Sequence, residues 1–75
     1  MKKKGVPNIQ ERFGFAVKSR REELRLTQEA LAHAAGIHRT YLSDMERGTR
    51  NVSLVNIERV AAALKVTLAE LFGRI

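Results

Sequence analysis

The sequence predicts an all-α chain, a compact bundle of five helices, on three observations. Apolar residues recur every three or four positions, and no stretch alternates with a period of two for long enough to make a strand. Polar residues suited to capping a helix N-terminus stand ahead of the periodic runs at Asn8, Thr27, Ser53 and Thr67. Glycines close three of the runs, at Gly36, Gly48 and Gly73.

The first helix starts after the single proline, Pro7. Asn8 followed by Glu11 has the form of a reciprocal capping pair. From there Ile9, Phe13, Ala16 and Val17 recur at helical spacing, and the helix should run to about Leu24. Gly14 inside it costs helix propensity and permits close backbone packing. Thr27 caps a second helix over Gln28 to Ala35, on which Ala30, Leu31, Ala34 and Ala35 are expected to form a smooth apolar side. A third covers about His38 to Arg47, and Ser53 caps a fourth over Leu54 to Leu64. Thr67 with Glu70 repeats the capping pair and opens a short fifth helix ending at Gly73. Residues 1–7, with Lys2 to Lys4, read as a basic N-terminal arm. Residues 8–75 read as one domain whose short C-terminal helix serves dimerisation.

Composition narrows the function. A chain of 75 residues buries only roughly 60% of its unfolded surface, so association is a common supplement to its stability. With 44% hydrophobic and 29% charged residues it is globular rather than disordered. The absence of Cys excludes disulfides, thiolate metal sites and a cysteine nucleophile. No apolar run approaches the roughly 20 residues of a membrane span. No apolar segment follows "MKKKG" to make a signal peptide, so a soluble, cytoplasmic protein is expected. Lys and Arg total 14 against 8 acids, for a net charge of +6. That balance favours a polyanionic partner, nucleic acid ahead of an anionic membrane surface.

The third helix carries the sharper signal. At about 100° per residue, with Arg39 at zero, Ser43 falls near 40°, Arg47 near 80°, Thr40 near 100° and Asp44 near 140°. Leu42 and Met45 fall opposite, with Tyr41 at the border. The joint before this helix, "AGIH", is short and contains Gly36. Two helices joined by such a turn, the second with a polar outer row, make a helix-turn-helix, whose second helix enters the major groove of DNA. Arg39 can offer two donors to guanine. Thr40 and Ser43 can reach base edges or phosphates, and the Thr40 methyl can touch a thymine methyl. Gln28 sits in the first turn of the second helix, where free N–H groups favour a phosphate. Tyr41, Arg47, Arg50 and Asn51 flank the row and are placed to clamp the DNA backbone.

"LTQEALAHAAGIHRTYLSDMERG" resembles the phage repressor/Cro type of helix-turn-helix domain. The resemblance rests on Thr27-Gln28-Glu29, Leu31-Ala32, Gly36, Leu42-Ser43 and Glu46-Arg47-Gly48, and it continues through "NVSLVNIERVAAALKVTLAELF". It implies a five-helix domain that binds operator DNA as a symmetric dimer. It implies phosphate contact for Gln28, base reading for Arg39, Thr40 and Ser43, and flanking contacts for Arg47 and Arg50. It also implies a partly buried ion pair between Arg21 and Glu46. "HRTYLSDMERGTRN" is further similar to the restriction–modification controller proteins, a branch of that family in which the residues matching Arg39, Thr40 and Arg50 are implicated in base reading. Two positions depart from the pattern. Arg25 stands where the family has a left-handed Gly, so strain or a shifted helix end is expected there. Arg20 replaces an apolar residue, with its stem expected to pack and its head to reach solvent.

Other chemistry is weakly represented. His33 and His38 lie five apart across a turn, which is poor spacing for a metal pair. Nothing orients a Ser-His-Asp triad, and no Gly-rich phosphate loop occurs. No enzyme, metal, cofactor or small-molecule ligand is expected. The expected function is a sequence-specific transcriptional regulator, a repressor or autoregulator, that binds a palindromic operator in double-stranded DNA as a homodimer. The alternative is a helical protein-interaction module, antitoxin-like or adaptor-like, with only electrostatic affinity for DNA. "VTLAELFGRI" holds more apolar residues than one short helix can bury. Leu71 is assigned to the core, and Val55, Ala62, Val66, Leu68, Phe72 and Ile75 to an isologous interface.

Overall fold

The computed structural model describes residues 5–75. Five helices follow one another: α1 over Ile9–Glu23, α2 over Gln28–Ala35, α3 over Arg39–Arg47, α4 over Leu54–Ala63 and α5 over Leu68–Phe72. No strand occurs among the described residues. The basic arm expected over residues 1–7 lies partly outside them: Met1 to Lys4 are not described, and Gly5, Val6 and Pro7 are exposed and non-helical.

The caps explain the starts. Asn8 Oδ1 accepts from the Glu11 N–H at 2.9 Å while Glu11 Oε1 accepts from the Asn8 N–H at 3.0 Å. Thr67 and Glu70 do the same for α5, at 3.0 and 2.8 Å. Thr27 and Ser53 each accept one N–H, from Ala30 and Asn56. Each such cap contributes on the order of 1 kcal/mol. α3 begins one residue later than expected, because His38 is its cap: the Thr40 N–H donates to His38 Nδ1 at 3.3 Å.

The stops share one geometry. After α1 the Leu26 N–H donates to the Arg21 carbonyl and the Arg25 N–H to that of Glu22. The same double closure follows α2 at Gly36, α3 at Gly48 and α4 at Lys65. Gly36 and Gly48 take the required left-handed conformation, φ +69° and +72°. Arg25 and Lys65 take it too, at φ 57° and 59°. Of the two outcomes expected at Arg25, the helix end is therefore kept and the residue is strained, at about 1–2 kcal/mol.

α1 packs on α3 and α5, α2 on α3 and α4, and α4 on α5. The core between them is Phe13, Ala16 and Val17 from α1, Leu31, Ala32 and Ala35 from α2, Leu42 and Met45 from α3, Val60, Ala61 and Leu64 at α4, and Leu71 from α5. Leu71 is fully buried, as expected. On α2 the buried face is rotated from the expected one: Ala32 replaces Ala30 and Ala34, which are exposed. Alanines make up half of this helix, so composition could not choose among them. Arg20 is better held than expected. Its Nε donates to the Leu64 carbonyl at 3.0 Å and its Nη1 to Glu23 at 3.2 Å, which pins the end of α4 to α1.

α1 and α3 approach closely at Gly14. A Cβ there would sit 2.5 Å from the Glu46 carbonyl oxygen and closer still to that of Met45. The lack of a side chain at Gly14 thus sets the distance between α1 and the helix that carries the polar row.

Candidate nucleic-acid interface

α2, the Gly36–Ile37–His38 joint and α3 form the predicted helix-turn-helix. Ile37 tucks against the core, so the joint is anchored at its middle. Leu42, Met45 and Glu46 bury one side of α3. On the other side Arg39 and Thr40 are exposed, and Ser43 is half-buried beside them. Arg39 has no ion-pair partner among the described residues, so its guanidinium is free to form a bidentate contact.

The flanking residues form a connected group. Asp44 Oδ1 accepts from Arg47 Nη2, and Asp44 Oδ2 accepts from Arg50 Nη2 at 2.9 Å and Arg50 Nε at 3.3 Å. The two arginines hold the Asp44 carboxyl below its ordinary range, Arg50 more than Arg47. The Arg50 guanidinium lies 4.7 Å over the Tyr41 ring. Tyr41 is half-buried, and its hydroxyl accepts the Ser53 N–H at 3.2 Å, fixing the ring against the start of α4. Asn51 is exposed next to Arg50. The structure therefore brings Arg39, Thr40, Ser43, Tyr41, Arg47, Arg50 and Asn51 to the α3 side of the molecule.

Gln28 belongs to a different network. Its Nε2 donates to Glu46 Oε1 at 3.0 Å, leaving the second amide proton uncommitted. Glu46 also receives Arg21 Nε at 2.7 Å and Nη2 at 3.0 Å, and Arg21 Nη1 donates to the Leu26 carbonyl at 2.8 Å. The side chains are 12% and 3% exposed, so the pair inferred by resemblance is present and largely dry. Hydrogen bonding to Glu46 raises the Arg21 pKa against the lowering effect of burial.

The residues expected at an interface are less unified. Val55 and Leu68 share a shallow groove with Leu54 and Glu58. Phe72 lines another with Ile9, Phe13 and Ile57, and its ring sits 5.7 Å from that of Phe13. It remains 39% exposed, so it only partly fills the core. Ile75 lines a third groove with Pro7, Arg12 and Phe15. Ala62 is exposed on α4, and Val66 is half-buried against the core.

Sequence reasoning passed over three residues. Asp44 was placed on the wheel without a role, although Asp44 and Arg47 at i, i+3 are a standard helical ion pair. Leu54, 74% exposed, follows the Ser53 cap and adjoins Val55, so its position beside the groove was available. Phe15, 69% exposed, falls near the centre of the solvent side of α1 on a wheel. No group of three or more His, Cys, Asp or Glu among the described residues could hold a metal ion, and no helix of the described residues is long and apolar enough to cross a membrane.

Known proteins share this sequence pattern and this fold. A control protein, C.MunI, from a Mycoplasma species is 48% identical over 69 residues, spanning 91% of this chain and 93% of that protein. The crystal structure of the restriction-modification controller protein C.AhdI from Aeromonas hydrophila superposes with a TM-score of 0.82 at 44% identity, over 84% of this chain and 96% of that one. SinR, a master regulator for biofilm formation solved in complex with DNA, superposes with a TM-score of 0.75 at 34% identity, over 80% of this chain and 97% of that one. The pattern of the helix-turn-helix family matches residues 17–71, from the middle of α1 into α5, and the chain belongs to that family.

Proposed function

We propose that the chain is a sequence-specific DNA-binding transcriptional regulator, a repressor or autoregulator, that occupies a palindromic operator as a two-fold dimer. The observation that carries this reading is the outward row on the N-terminal half of α3, with Arg39 and Thr40 exposed, Ser43 half-buried beside them and a free guanidinium at its head. A major groove accepts a helix end-on in this way, and Arg39 with its outer fork reads guanine. Gln28, Tyr41, Arg47, Arg50 and Asn51 hold the register on the backbone. Names of similar proteins support it: control proteins, and an immunity repressor of a Bacillus phage that is 42% identical over 60 residues. The regulator acts by occupancy, with no chemical step.

One recognition helix covers only a few base pairs, too few against a genome of competing sites. A dimer doubles the readout and sets half-sites about 34 Å apart. The proposed interface centres on Val55, Leu68 and Phe72, with Ala62, Val66 and Ile75 as further members.

The test is selection of duplexes from a random pool, followed by titration of the best one at several salt concentrations. If the dimer neutralises about 6 to 10 phosphates, log affinity falls against log salt with a slope of roughly −5 to −9. Arg39→Ala flattens preference at one position per half-site, at a cost of about 1 to 3 kcal/mol, while Arg47→Ala weakens all sequences alike. A slope near zero, or identical specificity profiles for the two variants, refutes the assignment.

A further inference from the structure

We infer that Asp44 is a specificity-determining positioning residue: it buttresses Arg50 so that its guanidinium meets DNA from a fixed place and is withheld from phosphates at random, and it restrains Arg47 beside it. The inference rests on α3 being the DNA-reading helix, and it concerns a residue that touches the arginines rather than the DNA.

A carboxylate on a surface that receives a polyanion needs a reason, because it repels the partner. Asp44 is the least exposed member of its cluster, at 19% against 65% for Arg47 and 44% for Arg50. Both of its oxygens point at guanidinium groups. Arg50 is held along one edge only: Nε and Nη2 face Asp44, and Nη1 takes no part in that pairing. Its flat face is fixed by the Tyr41 ring, which is itself tethered by the Ser53 N–H. The loop that carries Arg50 is tied to the same residue, because the Thr49 N–H and hydroxyl both donate to the Asp44 carbonyl, at 3.1 and 3.2 Å. A guanidinium gripped on one edge and one face can offer its remaining edge in one direction only.

Carboxylate and phosphate accept the same fork of donors. An unbuttressed Arg50 or Arg47, on a long flexible stem, finds a phosphate in any sequence and adds affinity without discrimination. Held by Asp44 and the Tyr41 ring, Arg50 contributes only where the duplex brings an acceptor to its fixed position, whereas Arg47, held by one bond and more exposed, stays a contact to any backbone. The buttress thus lowers non-specific binding more than operator binding.

The experiment compares the full chain with Asp44→Asn, which keeps the shape and removes the charge. The probes are the tightest duplex selected from a random pool and a scrambled duplex of equal length and composition. The variant binds the scrambled duplex more tightly, with a salt slope steeper by about one to two per protomer, because freed cations reach more phosphates. Its ratio of operator to scrambled affinity falls roughly tenfold, within the range of one lost specific contact. In an Arg47→Ala/Arg50→Ala background the same Asp44→Asn change leaves the ratio unaltered, because Asp44 then has nothing to hold. That background keeps the test decisive even where Asp44→Asn weakens folding, since a structural role for Asp44 would lower both affinities in either background. An unchanged ratio in the otherwise wild-type chain, or an equal fall in both affinities, overturns the inference. A wild-type chain that fails to discriminate between the duplexes overturns the DNA-reading proposal itself.

Discussion

Replacing Gly14 with alanine sets two opposite effects against each other, and the structure decides the sign. In an exposed helix the change gains about 1 kcal/mol of propensity, and burying one methyl adds roughly 0.8 kcal/mol. At Gly14 the new Cβ would lie 2.5 Å from the Glu46 carbonyl oxygen and 2.8 Å from its carbonyl carbon. These are backbone atoms of α3, so no rotamer change relieves the clash, and α3 must move by something like 1 Å. Overpacking of this kind costs about 1–3 kcal/mol and occasionally more. The residue that must move also carries the buried carboxylate held by Arg21 at 2.7 and 3.0 Å, and losing a buried pair costs up to about 3–5 kcal/mol. With part of that pair lost, Gly14→Ala should destabilise by about 2–4 kcal/mol net. For a domain of this size that corresponds to a fall in Tm of roughly 10–25 °C. The assay is thermal unfolding by circular dichroism at one fixed protein concentration, because a dimer's Tm depends on it. Gly36→Ala is the control. It has a left-handed φ but open space around the position, and should cost only about 1–2 kcal/mol. A Gly14→Ala protein as stable as the parent would refute the reasoning.

Glu46→Ala leaves Arg21 buried and uncompensated, and should cost about 3–5 kcal/mol in chemical denaturation, whereas a fully stable variant would show that the pair is no brace. Arg25→Gly should stabilise the chain by about 1 kcal/mol, because Arg25 is held at φ 57°; an unchanged denaturation midpoint would mean that the strain is absent. Arg74, and then Arg20, hold the Glu23 carboxyl at about 2 against an ordinary 4.5, so its contribution to stability is complete above about pH 4.5 and fades as the pH falls towards 2. An NMR titration should find Glu23 low in the parent and near its ordinary value in Arg74→Ala/Arg20→Ala; equal values in both would exclude the ion pairs as the cause. Leu68→Glu should give a folded monomer that binds one half-site weakly and loses palindromic preference, and the interface proposal fails if that variant still sediments as a dimer.

Helix existence and type were legible because caps and stops are local chemistry. Asn8, Thr27, Ser53 and Thr67 each accept the N–H that the sequence rules assign to them. The start of α3 was misplaced by one residue because histidine is an uncommon cap, and only its Nδ1 geometry reveals the role. The outward row on α3 was legible because Leu42 and Met45 leave one solution for its orientation. The exact orientation of α2 was not, since beyond Leu31 its apolar residues are alanines spread over a wide arc. Gly14 was readable as a site of close packing, but not its partner, since Met45 and Glu46 lie some thirty residues on. The Asp44 group fell between the two cases: the Arg47 pair is local in sequence, whereas Arg50 returns to it only because the chain reverses at Gly48 and Thr49.

The distribution of these contacts bears on how a small domain can read DNA at all. The contacts that α1 makes with α3 gather at one end of α3. Gly14 meets it at Met45 and Glu46, Arg21 grips Glu46, and Gly48 lies so near the Glu11 backbone that a Cβ would sit 2.6 Å from its Cα. Every one of these ties falls on the C-terminal half of the helix and comes from α1. The N-terminal half, with Arg39, Thr40 and Ser43, projects beyond them with its backbone capped by His38. The proposed interface hangs from the same support, because Phe72 packs on Phe13 and Arg74 grips Glu23, both partners on α1. α1 is therefore the common frame between the helix that would read a half-site and the surface that would join two copies. In such a dimer the distance between reading helices would be set by packed backbone and by ion pairs to α1, one of them buried, rather than by a linker. A domain with so small a core would hold its half-site spacing through the contacts that converge on α1 along that one path.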